Sequence, residues 1–196
     1  TMEAAANQSI EADTVKIALV PFSQTVNVGT ENRYASWIDQ NGASPINNQI
    51  FQTSSTTNSA NRFTLLQNMN VQWAGCVEGR QAPYDVQETA PTPATPAAAF
   101  TPYFAPDEAS GSPTYRNSYL NNDVTSSSHW KDKQGNVAKY NHAPDKTGYN
   151  NVGAGYEYGP NMGCKLQPII RLTKNFTTVR TAISNMQAVG DTNIPA

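Results

Sequence analysis

Charge is scarce in this chain. Lysine, arginine, aspartate and glutamate make up 14% of its 196 residues, and the formal net charge is −2. With no basic run, it lacks the electrostatic footprint of a nucleic-acid-binding protein, and no nucleic acid is expected as a partner. No apolar stretch approaches the ~20 residues that span a bilayer. The first residues, Thr-Met-Glu-Ala-Ala-Ala, do not form an export signal. Catalytic signatures are missing too: there is no Gly-x-Ser-x-Gly elbow, P-loop or His-Glu-x-x-His. The two histidines, His129 and His142, lie far from either cysteine, which leaves no zinc-ligand spacing and little basis for a Cys-His dyad. No enzymatic activity is expected.

Asparagine, glutamine, serine and threonine supply the polar bulk instead, a composition that suits extracytoplasmic proteins. It bears on the only two cysteines, Cys76 and Cys164. In a cytosolic chain they would be buried thiols; in an exported one, a disulfide. The charge-poor composition favours the disulfide. Carboxylates at Asp85, Glu88, Asp107 and Glu108 sit in turn-like contexts and are expected to be solvated loop residues rather than an acid/base pair. Asn121-Asn-Asp123 lacks the regular spacing of a calcium loop.

Two short scaffold segments, 1–23 and 165–196, flank a long region of different character. Thr1 to about Ala12 favours helix, with Met2, Ala5, Ala6, Ser9 and Ile10 forming a modest buried stripe. Val15 to Phe22 is nearly apolar on both faces, as in a strand buried between helix layers. Leu166, Pro168, Ile170 and Leu172 alternate onto one face of an antiparallel strand, at an edge because proline cannot donate to a ladder. Thr173 is placed as the N-cap of a helix over 174–189, with Phe176, Val179, Ile183 and Met186 on one face and Gly190 at its end. These are pieces of a doubly wound α/β fold. The chain is expected to be a piece of a longer protein.

The region 24–164 is poor in periodicity and rich in turn-formers. Residues 89–98 are proline-rich and expected to run extended. Residues 63–73 fit helix or strand. Tyrosines and Trp37, Trp73 and Trp130 argue for a packed, loop-rich insertion rather than disorder.

Strand, helix and the following Gly190-Asp-Thr-Asn-Ile194 loop resemble the middle of a von Willebrand factor A domain, with Asp191 in place of the usual second glycine. Further blocks narrow the resemblance: Val20-Pro-Phe-Ser-Gln-Thr-Val-Asn-Val-Gly29, Ala35-Ser-Trp-Ile-Asp39, Trp73-Ala-Gly-Cys-Val-Glu78, Pro83-Tyr-Asp-Val86, Thr101-Pro-Tyr-Phe-Ala-Pro-Asp-Glu108, Asn117-Ser-Tyr-Leu120 and Gly159-Pro-Asn-Met-Gly-Cys164. In this order they look like the TadG-type (TadE/TadG-like) pilus assembly proteins. The resemblance implies a partial A-type domain, exposed beyond the inner membrane in a membrane-anchored protein. It also implies protein partners within the Flp (tight adherence) pilus machinery. Thr192 matches one ligand of that family's metal-ion-dependent adhesion site. The Asp-x-Ser-x-Ser loop is absent and the later aspartate would fall beyond Ala196. Thr192 would therefore hold Mg²⁺ only with ligands outside this chain, and is otherwise a turn residue. The alternative is a secreted sugar- or surface-binding domain that uses exposed aromatics of the insertion. The strand directions that the resemblance implies have the insertion leave and re-enter the scaffold at one end of the sheet. Ser23, Cys164 and Thr192 would lie at that end, with Thr14 and Thr173 at the other.

Overall fold

The strand expected over Val15–Phe22 is ordered as β1, Ile17–Leu19, and pairs antiparallel with β4, Ile170–Thr173. Ile17 faces Thr173 and Leu19 faces Ile170 across an irregularity in register. The chain therefore leaves β1 and enters β4 at the same end of the pair, with Thr173 at the other. The computed structural model describes residues 2–9, 15–55, 60–92, 94–108, 117–121, 126–144 and 159–188. Thr14, Asp123 and the Gly190–Ile194 loop with Thr192 lie outside the described residues.

Burial on both faces of β1 is not what is found. Ile17 and Leu19 are half-buried while Ala18 and Val20 are exposed. Among the described residues this sheet has two strands, and α4 (Phe176–Asn185) packs on β1. One helix cannot cover both faces of a strand pair, so the outer residues alternate into solvent. β4 begins later than the apolar alternation suggested. Pro168 has no N–H to give, and the Ile169 N–H goes to the Asn27 carbonyl at 2.9 Å, outside the β1–β4 ladder. Leu172 is consequently 65% exposed.

The helix boundaries also shift. Asn175, not Thr173, caps α4, its Oδ1 accepting from the Thr178 N–H at 3.0 Å, while the Thr173 hydroxyl accepts from the Asn175 N–H. The helix stops at Asn185, and its buried face is Val179 and Ala182; Ile183 and Met186 are exposed. The first helix, α1 (Met2–Gln8), buries none of its residues and is tied to α4 by an exposed Glu3–Arg180 ion pair. Of the stripe read there, Met2 and Ala5 are exposed and Ala6 is half-buried.

The hydrophobic core lies in the loop-rich region between β1 and β4, the segment expected to be an insertion. Phe51, Phe104 and Tyr140 meet with ring centroids 5.4–5.8 Å apart, and Phe63 meets Trp73 edge-on at 5.5 Å. Regular structure there is sparse. β2 (Thr25–Asn27) pairs antiparallel with β3 (Cys76–Glu78), Asn27 facing Cys76. The ambiguous segment 63–73 begins as α2 (Arg62–Asn68), capped by the Asn61 side chain and burying Phe63, Leu65 and Leu66. Asn70, at φ 56°, turns the chain out of it toward Trp73. A short helix α3 (Trp130–Gln134) follows much later, with Trp130 49% exposed. The proline-rich stretch is not wholly extended: Pro96–Ala98 closes a 3-10 turn and buries Ala98. Among the described residues, short helices and two small antiparallel sheets make this an α/β architecture in the general sense.

Buried asparagine side chains replace much of the missing ladder. Asn161 accepts from the Ala74 N–H at 3.2 Å and donates to the Gln72 carbonyl at 2.9 Å. Asn27 accepts from the Gly29 N–H and donates to the Leu166 carbonyl at 3.1 Å. Asn117 bridges Gly159 and the Pro106 carbonyl. One primary amide offers both donors and an acceptor, so it can pair backbone that has no partner strand. Asp39 serves the turn 41–47 similarly, accepting from the Ala43 and Ser44 N–H groups and the Asn47 amide. Close approach fixes Gly75, at φ 93°: a Cβ there would lie 2.8 Å from the Asn27 Oδ1.

Candidate functional site

Cys76 and Cys164 form a disulfide with Cα atoms 5.9 Å apart, within bridging range. The sequence brings them together from two directions. Cys76 opens β3, and Cys164 ends a turn begun at Gly159, where its N–H reaches the Asn161 carbonyl at 3.0 Å. Tyr103 packs over the bridge and donates to the Met162 carbonyl at 2.7 Å. Burial, with the nearby Glu78 charge, pushes its phenol up to about 12, against an opposing influence of Arg62. The bridge thus pins the exit of the insertion to the β2–β3 pair.

A groove of about 480 Å³ opens on the same region, between the 30–34 turn and the end of α2. Phe63, Leu66 and Trp73 form its apolar lining; Gln67, Asn70 and Gln72 supply polar groups. Tyr34 stands beside it, 84% exposed. The Arg33 guanidinium lies over the Phe63 ring, 3.2 Å from its centroid, and 4.9 Å from that of Tyr34. Its Nη1 donates to Gln40 Oε1 at 2.9 Å, and Gln40 in turn donates to the Arg33 carbonyl at 3.0 Å. Partial burial lowers the affinity of Arg33 for its proton, with Tyr34 opposing. The arrangement can present a cation, an aromatic face and amides to a ligand. Among the described residues, its lining contains no acid/base pair or nucleophile–base pair.

A third feature reverses an expectation. Asp107, expected to be solvated, is wholly buried and lies 2.6 Å from the Nζ of the equally buried Lys139. The carboxylate is needed inside because Tyr119 and Leu120 aim their N–H groups at its Oδ1. Glu108 is half-buried and accepts from the Asn117 N–H at 3.0 Å, whereas Asp85 and Glu88 are exposed as expected.

Of the residues singled out from sequence, Cys76 and Cys164 come together, and Thr192 lies outside the described residues. His129 caps α3, accepting from the Lys131 N–H, and His142 lies in an exposed turn; among the described residues, no group of three or more histidines, cysteines and acids is placed to hold a metal ion. Arg33, Tyr34 and the Asp107–Lys139 pair escaped the sequence reading. The adjacent Arg-Tyr in a turn and the Lys139-Tyr140 pair were their only local signals, and both are common in loops. No protein-family model matches the chain, and no curated protein or solved structure matches it.

Proposed function

We propose that this chain is a non-enzymatic, extracytoplasmic protein-interaction module of Flp pilus assembly. The insertion would offer its groove to a partner from a von Willebrand factor A-like scaffold. The observation that carries the reading is the groove itself. An arginine and an exposed tyrosine stand beside apolar lining from α2 and Trp73, the composition of an interface anchor rather than of a catalytic cleft. The disulfide supports an oxidising compartment. The antiparallel β1–β4 pair, running into α4 and on toward Thr192, supports the A-type scaffold. In the intact protein Thr192 would contribute one oxygen to an Mg²⁺ site whose charged ligands come from outside this chain.

A photo-crosslinker at Tyr34 of the full-length protein, in cells assembling the pilus, tests the proposal. Adducts with another pilus-assembly protein are expected. Failure to form any, while Tyr34→Ala leaves pilus assembly intact, overturns it. A second reading has one observation in its favour: exposed Tyr34 beside the amides of Gln67, Asn70 and Gln72 also suits a sugar ring. Glycan binding abolished by Tyr34→Ala, without protein adducts, would establish that alternative.

A further inference from the structure

The Asp107–Lys139 pair lies outside the groove and plays no part in the function proposed for it. Both side chains are fully buried, with Nζ 2.6 Å from Oδ2. The surroundings are aromatic: Tyr140 adjoins Lys139, and its ring packs with Phe51 and Phe104. Keeping two charges in such a site is costly, and the cost falls if the proton is shared within the pair. The two carboxyl oxygens are not equivalent. Oδ1 accepts from the Tyr119 N–H and from the Leu120 N–H at 2.6 Å. Among the described residues Oδ2 has no hydrogen-bond donor besides the lysine nitrogen. One oxygen therefore sits in a pair of backbone donors of the kind that stabilises an oxyanion. The other faces the amine.

We propose that Lys139 and Asp107 condense into an intramolecular isopeptide bond, a covalent cross-link inside the insertion. The ion pair contains every atom the reaction needs. A proton passes from the ammonium to Oδ2, giving a neutral amine and a carboxylic acid. Burial favours that distribution, since it raises Asp107 and lowers Lys139 from their ordinary values against the attraction between them. The amine lone pair attacks Cγ, and the carbonyl π electrons move onto Oδ1 between its two N–H donors. A second amine proton passes to Oδ2. The Cγ–Oδ2 bond then breaks with its electrons on oxygen, water departs, and the amide carbonyl reforms. No oxidant, reductant or co-reactant enters. The remaining amide N–H has an acceptor in place, because Nζ already donates to the Lys133 carbonyl at 2.9 Å.

Intact mass spectrometry of the natively exported protein, denatured and with its disulfide reduced, decides the matter. The expected mass is lighter than that of the sequence by one water. Digestion should release a branched peptide joining residues 107 and 139. Lys139→Arg should restore the full mass. Asp107→Asn should lose ammonia instead of water and arrive at the same cross-linked mass as the natural protein. A natural protein at full sequence mass overturns the proposal. So does a water lost elsewhere, with the peptides of 107 and 139 recovered linear. The decisive readout is on the unsubstituted protein and is independent of whether the groove binds a partner.

Discussion

The two regions of this molecule invert the usual division between scaffold and insertion. The β1–β4 pair with α4 has regular elements, clear caps and a hydrophobic period, yet it leaves Val20, Leu172, Ile183 and Met186 largely in solvent. The insertion has three-residue strands and a seven-residue helix, yet it holds the aromatic core, the disulfide and the fully buried ion pair. Regular secondary structure satisfies backbone groups cheaply but buries apolar area only when a second layer covers it. Irregular chain can bury as much, provided that side chains satisfy the backbone in place of a ladder. Asn27, Asn117 and Asn161 do so here. The regions touch at Ile169, which packs on the insertion core and hydrogen-bonds to Asn27.

That contrast predicts where substitutions will hurt. The largest loss should come from Cys76→Ser with Cys164→Ser. The bridge spans 88 positions, and loop-closure entropy for such a length sets an upper figure of about 4–5 kcal/mol. Denaturant unfolding of the oxidised and substituted proteins checks this. An unchanged midpoint would mean that the insertion is held by its core alone. Next, Phe104→Ala should cost about 3–5 kcal/mol, as expected for an aromatic removed from a closed core. Leu172→Ala, on the nominal scaffold, should change stability by less than about 0.5 kcal/mol. Comparable losses at the two positions would break the comparison.

The same contrast explains what could be read from the sequence. The two strands, α4 and its amphipathic start were legible because an apolar run, alternation and the 3.6 period are local signals. Their burial was not, since it depends on which layers cover them. In the insertion the reverse holds. Trp37, Trp73 and the tyrosines announced packing, and the cysteines a bridge, but nothing in Ala105-Pro-Asp-Glu108 distinguishes a buried aspartate from a surface one. Asp107 is buried because Lys139, Tyr119 and Leu120 come from elsewhere in the chain to meet it. Turn-rich composition likewise concealed the groove, whose residues come from 30–34 and 63–73.

Asn161→Ala should have an intermediate effect. It removes the acceptor of the buried Ala74 N–H and the donor to the Gln72 carbonyl. A buried donor left unpaired costs about 1–3 kcal/mol. Asn161→Leu, of similar size, should be no better, because packing volume is not what the side chain supplies. Recovery of stability in the leucine variant would show that the asparagines fill space rather than substitute for a ladder.

The smallest effect is expected at the surface of the insertion, where Asp132 gathers two distant turns. Its Oδ1 accepts from the Ser54 N–H at 2.7 Å and the Ser54 hydroxyl at 2.6 Å, and its Oδ2 from the Ser127 hydroxyl at 2.6 Å. The Ser127 and then the Ser54 hydrogen bonds hold the carboxyl down to about 2 from an ordinary 3.8, with burial opposing slightly and His129 assisting. A folded-state value below the unfolded one means that the unfolded chain binds the proton first. The stabilisation is therefore fully present above about pH 4 and fades as the pH falls toward about 2. The side chain is only half-buried at the surface, so water and salt screen the interaction and the contribution is small. Asp132→Asn should flatten the stability profile in that acid window, lowering stability slightly above about pH 4 and converging with the natural protein toward about pH 2. A variant that matches the natural protein from pH 4 down to pH 2 would show that this clasp contributes nothing, and that the insertion is held from within.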